Sequence, residues 1–115
     1  MLSTAHRLRD AEDFRTTTRH GKRASSRTLV AHLRLPEGAS ADEPLVGFVV
    51  GRNVGSAVVR NAVKRRLRHL VRGRLMLLPA GSALVVRAKP NAAGATSADL
   101  GAGLDDVLSR VLDPR

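Results

Sequence analysis

The chain has 115 residues, 43% hydrophobic and 2% aromatic, with 20 Lys and Arg against 10 Asp and Glu for a net charge of +10. That length suits one domain, and that apolar share argues against a disordered basic tail. The lack of cysteine excludes disulfides, thiolate metal sites and thiol catalysis, and no apolar run approaches the ~20 residues that span a membrane.

Met1 to Arg7 carries no apolar signal-peptide core, so the cytoplasm is the expected compartment. A single domain over residues 1–115 is expected, with disordered ends at 1–6 and 113–115. Residues 10–21 predict a first helix. Asp10 caps it, Asp13 stands three residues on, and Gly21 is expected to take a left-handed stop. Thr16, Thr17 and Thr18 weaken it by propensity. Residues 27–35 alternate, with Leu29, Ala31, Leu33 and Leu35 against Thr28, Val30, His32 and Arg34, which predicts a strand. Residues 36–44 are a loop between prolines. Residues 45–51 form a short apolar run, read as a buried strand.

Gly55 and Ser56 then open a helix through Arg72. At 100° per residue, Val59, Val63, Leu67, Leu70 and Val71 fall on one side and Asn61, Lys64, Arg65, Arg68 and Arg72 on the other, and Arg60 is grouped with these basic residues. Residues 73–81 connect to a third strand at 83–88, ended by Pro90. After a small-residue loop, Ser97 is expected to cap a last helix bearing Leu100, Leu104, Val107, Leu108 and Val111, weakened by Gly101 and Gly103. The order helix, strand, strand, helix, strand, helix makes the basic helix a crossover between two strands.

The charges are segregated. No acid stands between Glu43 and Asp99, an interval that holds Arg52, Arg60, Lys64, Arg65, Arg66, Arg68, Arg72, Arg74, Arg87 and Lys89. A helix needing only solubility would mix signs, because like charges at i,i+4 repel. A whole face without an acid points to a polyanion, and a nucleic-acid backbone is the natural one. Arginine outnumbers lysine, and its planar fork matches phosphate. The basic helix lacks the Trp or Phe of a membrane-inserted face, so lipid is not the expected partner.

Catalytic constellations are weak. Gly51-Arg52-Asn53-Val54-Gly55-Ser56 joins a strand to a helix N-terminus but lacks the Gly-Lys-Ser/Thr ending of a P-loop, so a tight turn is its expected use. His6, His20, His32 and His69 show no spacing that pairs two imidazoles for acid–base cleavage of RNA. Asp105 and Asp106 lie away from the basic patch and read as helix-surface acids rather than metal ligands. With only Phe14 and Phe48 as aromatics, a broad base-stacking platform is excluded, leaving phosphate and folded RNA shape as what is read.

The order of motifs resembles the protein subunit of bacterial ribonuclease P. The resemblance rests on Gly55-Ser56-Ala57-Val58, Arg60-Asn61, Lys64-Arg65 and Arg68, and on Asp13-Phe14, His20-Gly21 and Arg87-Ala88-Lys89-Pro90. It covers residues 7–112. It implies a compact α/β (α+β) domain like the second domain of ribosomal protein S5 (ribosomal-protein-S5-domain-2-like). The domain so implied for this chain has a mixed, mainly antiparallel sheet of about four strands, three helices and a left-handed βαβ crossover. It also implies a cofactor role in removing the 5′ leader of precursor tRNA, with catalysis by the partner RNA and its Mg²⁺ ions. By this likeness Arg52, Asn53, Arg60, Asn61, Lys64, Arg65, Arg68 and Arg72 contact the catalytic RNA. Phe14, Thr18, His32 and Phe48 line the leader cleft.

The partners so implied are ribonuclease P RNA and precursor tRNA, with no membrane and no obligate protein partner, and no residue is singled out as a metal ligand. Thr18 and His32 stand where the family often has aromatics, and Arg52-Asn53 where two lysines are common. The alternatives are a structural, ribosomal-type RNA-binding protein and a self-sufficient nuclease.

Overall fold

The computed structural model describes residues 6–8 and 10–114. Helix α1 spans Ala11–His20, and the Asp10 carboxylate accepts from the Glu12 N–H at 2.8 Å. Acids in the first turn and Arg19 and His20 in the last suit the helix dipole. The threonines are tolerated because packing outweighs propensity: Thr17 is fully buried, and the Thr18 hydroxyl donates to the Phe14 carbonyl at 3.0 Å. Gly21 is not a left-handed stop; its backbone is extended. Glycine is needed there for close approach, since a Cβ would lie 2.4 Å from the Thr17 carbonyl oxygen and 2.9 Å from that of Leu33.

A strand absent from the residue pattern follows at once. β1, Lys22–Ser25, pairs antiparallel with β2, Leu29–Arg34. Only Ala24 of β1 is buried, and the turn at Ser26 uses a serine hydroxyl rather than Asn-Gly or Gly-Gly, so neither apolar alternation nor a hairpin signal marks it. β3 spans Leu45–Val49 and β4 Ala83–Ala88. The sheet order is β1-β2-β4-β3, with β3 parallel to β4 and the other pairs antiparallel.

Two expectations about burial change. β2 is buried on both faces, not one, because α1 covers one side and α3 the other. β3 is an edge strand rather than a fully buried one, with Val49 36% exposed. Its open edge is met by the N-terminal segment: Arg7 bridges Val46, and the Leu8 N–H donates to the Val46 carbonyl at 2.8 Å. Of the residues expected to be disordered, 1–5 and 115 lie outside the described residues. The His6 ring stands 2.9 Å from Glu43, and Lys22 donates to the Asp113 carbonyl.

Helix α2 spans Ala57–Arg72, capped by the Ser56 hydroxyl on the Val59 N–H. Val63, Leu67 and Val71 are buried, while Val59 and Leu70 are half-buried at the margin of the core. Helix α3 spans Ser97–Val111. Thr96, not Ser97, caps it, its hydroxyl accepting from the Asp99 N–H at 3.0 Å. The helix begins one residue earlier than expected, which moves the cap back by one. Gly101 and Gly103 do not break α3, because the helix is pinned along its length against β1, β2 and α2. Leu67 and Leu104 meet Leu29, Leu84 and Val86 in one core. The Arg74 guanidinium ties the end of α2 to α3, donating to Asp105 at 2.5 Å and to the Leu70 carbonyl at 2.8 Å.

Candidate nucleic-acid interface

Alternation along the strands gives the sheet two unlike faces. Leu29, Ala31, Leu33, Val46, Leu84 and Val86 face the core under α2 and α3. The register puts Arg23, His32, Val85 and Gly47 in one row on the other face, and Ser25, Val30, Arg87 and Val49 in the next. Helix α1 crosses this second face over β2 and β4, held there by an Arg34–Asp13 ion pair at 3.3 Å. It leaves an open cleft of about 480 Å³ lined by Phe14, Arg15, Thr18, His32, Val49, Val85 and Arg87.

Three of the four residues expected in a leader cleft therefore meet there: Phe14, Thr18 and His32. Phe48 does not. Its neighbours in β3, Gly47 and Val49, belong to the cleft face, so strand alternation turns Phe48 to the opposite side, where it packs on the core. Thr18 is exposed, but its hydroxyl is committed to the carbonyls of Phe14 and Arg15. His32 is 5% exposed and its Nδ1 has no partner. Burial first, then the charges of Arg87 and Arg23, hold its pKa below the usual imidazole value, so the ring is neutral at pH 7. A neutral imidazole in the wall of the cleft can contact a base without adding charge.

Gly47 was not expected in the site. Its missing side chain is where the Phe14 ring sits: a Cβ there would lie 2.2 Å from Phe14 Cζ. Arg15 and Arg87 also belong to the cleft. Arg87 had a visible signal, as the one charged residue in the apolar run of β4.

The basic face of α2 is the second part of the interface. Asn61, Lys64, Arg65, Arg68 and His69 surround an open depression of about 460 Å³. Arg60 does not stand opposite the apolar stripe as expected: one turn of helix places it beside Val63 and Leu67 at the edge of the basic face, half-buried with Nε unpartnered, while Arg72 is exposed at the helix end. Arg52 and Asn53 are exposed on a short 3-10 turn, Arg52–Val54, that leads into α2. Among the described residues none of Arg60, Lys64, Arg65, Arg68 or Arg72 makes an ion pair. Other cations of the acid-free interval serve the fold. Arg74 holds Asp105, Arg66 donates to the Ala95 carbonyl and Lys89 to that of Ser26. Asp105 is accordingly held below the usual carboxylate range by the Arg74 hydrogen bond.

The histidines do not converge. His32 faces the cleft, His69 lies on α2, and His20 opens on a separate groove with Lys22, Leu33 and Leu112. No group of three or more His, Asp or Glu able to hold a metal ion occurs among the described residues. None of their helices is long and apolar enough to cross a membrane.

The family model described as Ribonuclease P matches residues 2–112. The ribonuclease P protein component of Nocardioides sp. is 53% identical over 111 residues, covering 96% of this chain and 95% of that protein. The corresponding protein of Streptomyces griseus is 52% identical over 118 residues, covering 97% and 96%. Among solved structures, the RNase P protein from Thermotoga maritima in complex with 1-(4-fluorophenyl)-2-thiourea superposes with a TM-score of 0.77. It is 27% identical and covers 90% of this chain and 98% of that one. The RNase P protein of Staphylococcus aureus has a TM-score of 0.81 at 23% identity, covering 93% and 95%, and supports the fold.

Proposed function

This chain belongs to the ribonuclease P protein family, and on that premise we propose how its two surfaces divide the work of tRNA 5′ maturation. It is a protein subunit that partners ribonuclease P RNA, and the structural, ribosomal-type alternative is not favoured by a match over residues 2–112. The basic face of α2, with Arg60, Asn61, Lys64, Arg65, Arg68 and Arg72, binds the catalytic RNA. Arg52 and Asn53 extend that contact at the N-terminal end of the helix. The cleft under α1 takes the single-stranded 5′ leader of precursor tRNA. Phe14 stacks, His32 meets a base edge, and Arg15 and Arg87 meet phosphates.

The observation that carries this reading is the pairing of an acid-free helix face, whose cations make no ion pair among the described residues, with a cleft lined by the Phe14 ring, the His32 imidazole and two arginines. Phosphate contacts position an RNA, and a cleft that sets a phenyl ring beside arginines suits an unpaired segment. If five or six side chains engage phosphate, affinity for the RNA falls by roughly two to three decades between 50 and 200 mM salt. Mg²⁺ held mainly by the RNA supplies the charge stabilisation of phosphodiester hydrolysis. The chain's own residues bind and orient. The cytoplasm is the proposed compartment.

The test is precursor-tRNA cleavage at low Mg²⁺ with the protein alone, a bacterial ribonuclease P RNA alone, and both. Cleavage at the mature 5′ end only in the mixture is expected. Cleavage by the protein alone would replace this reading with a self-sufficient nuclease, and no stimulation by folded protein would refute the cofactor role.

A further inference from the structure

Arg7 lies outside both surfaces as the sequence defines them. Its side chain opens on a third cleft, about 270 Å³, between the edge of β3 and α2, together with Phe14, Phe48, Lys64 and Arg68. No acid lines this cleft, and Arg7, Lys64 and Arg68 make no ion pair among the described residues. Arg7 Nε is buried without a partner. Gathering three cations on one small concave site costs free energy through mutual repulsion and lost hydration. The main chain brings Arg7 there independently of its side chain, through the bridge to Val46 and the Leu8-to-Val46 hydrogen bond. The Phe14 ring lines this cleft and the cleft under α1 alike, so the two adjoin at that ring.

We propose that Arg7, with Lys64 and Arg68, forms a phosphate pocket that clamps one backbone phosphodiester of the substrate strand where it passes from the cleft under α1 to α2. A planar guanidinium beside an ammonium matches the paired non-bridging oxygens of a phosphodiester. The inference rests on the leader reading above. Lys64 and Arg68 line both the depression on α2 and this cleft and so serve both RNAs, whereas Arg7 adds a contact that belongs to the substrate alone.

The experiment uses the holoenzyme assembled with Arg7→Ala, Arg7→Gln or Arg7→Lys, and precursor tRNA carrying one uncharged methylphosphonate linkage, moved stepwise along the leader. Arg7→Ala and Arg7→Gln are expected to weaken precursor binding roughly tenfold, the scale of one charge-assisted hydrogen bond. The salt slope falls by about 0.7. Affinity for mature tRNA and for the catalytic RNA stays at the wild-type level, and Arg7→Lys recovers part of the loss. At one leader position the methylphosphonate costs wild type a similar factor and costs Arg7→Ala nothing.

Equal loss toward the catalytic RNA would reassign the pocket to that RNA and overturn the proposal. So would unchanged precursor binding, or the lack of any position where the two changes cancel. Arg7→Gln decides the matter where Arg7→Ala lowers the melting temperature. Phe14→Ala, run in parallel, separates the two readings. If it weakens precursor binding and Arg7→Gln does not, the phosphate pocket alone fails. If neither does, the leader reading fails with it.

Discussion

Gly47→Ala tests the cleft under α1 with one methyl group. Gly47 has no left-handed backbone angle, so alanine fits the main chain. The added Cβ would stand 2.2, 2.6 and 3.0 Å from three atoms of the Phe14 ring. Carbon atoms rest about 3.5–4.0 Å apart, so the ring must withdraw by roughly 1.3–1.8 Å. Phe14 is half-buried and able to swing outward, so the fold loses little, and the lower entropy of alanine in the unfolded chain offsets ~0.4–1 kcal/mol of that loss. Function loses more, because the stacking surface moves out of line with His32 and Arg87. Base–aromatic stacking contributes ~1–3 kcal/mol, so precursor binding should weaken by roughly 5- to 150-fold.

The assay is equilibrium binding of precursor and mature tRNA by the reconstituted holoenzyme, with melting temperature as a control. Precursor affinity should fall, while mature-tRNA affinity and melting temperature stay near wild type. In a Phe14→Ala background, Gly47→Ala should cost nothing further, since no ring remains to displace. Wild-type precursor binding by Gly47→Ala, or full additivity with Phe14→Ala, would refute the assignment of Phe14 as the stacking surface.

Arg65→Ala should weaken catalytic-RNA binding and reduce the log–log salt slope by about 0.7–0.9, measured by titration across salt concentrations; an unchanged slope would exclude a direct phosphate contact. Leu67→Ala removes a fully buried side chain at the junction of α2, α3 and the sheet, and should cost ~2–5 kcal/mol in urea unfolding, whereas wild-type stability would remove Leu67 from the core. His32 contributes a pH dependence with a definite sign. The unfolded chain takes up its proton near pH 6.5 and the folded chain resists it, so stability is full above that pH. It declines as pH falls toward the depressed folded value, by at most about 1.4 kcal/mol per pH unit. Denaturant unfolding at pH 7.5 and 5.5 should show this decline lessened in His32→Gln; equal declines in both proteins would place the acid sensitivity elsewhere.

The elements carried by strong periodicity were legible in the residues. α2 follows from an apolar stripe, a serine cap and an uninterrupted basic face, and β4 from an apolar run ended by proline. Its basic face needs no tertiary information, because a helix that buries Val63, Leu67 and Val71 must turn Arg65 and Arg72 away from the core. β1 was not legible. It is short, polar and on an edge, and it exists because β2 offers it hydrogen bonds, a partner 29–34 that lies beyond the turn. The caps at Gly21 and Thr96 differ from expectation for a related reason: local chemistry allowed several positions, and contacts with Leu33 and with the sheet under α3 chose among them.

What the chain determined by itself is the chemistry: net charge, the acid-free interval, the helix that displays it and the scarcity of aromatic rings, all properties of residue order alone. What only the tertiary structure decided is juxtaposition. Strand register sets His32 beside Val85 and Arg87, turns Phe48 away from the cleft and brings the bare backbone of Gly47 under Phe14. The N-terminal segment on the β3 edge carries Arg7 to Lys64 and Arg68. Each of these pairs residues far apart in the chain, where periodicity says nothing of which neighbour a side chain meets.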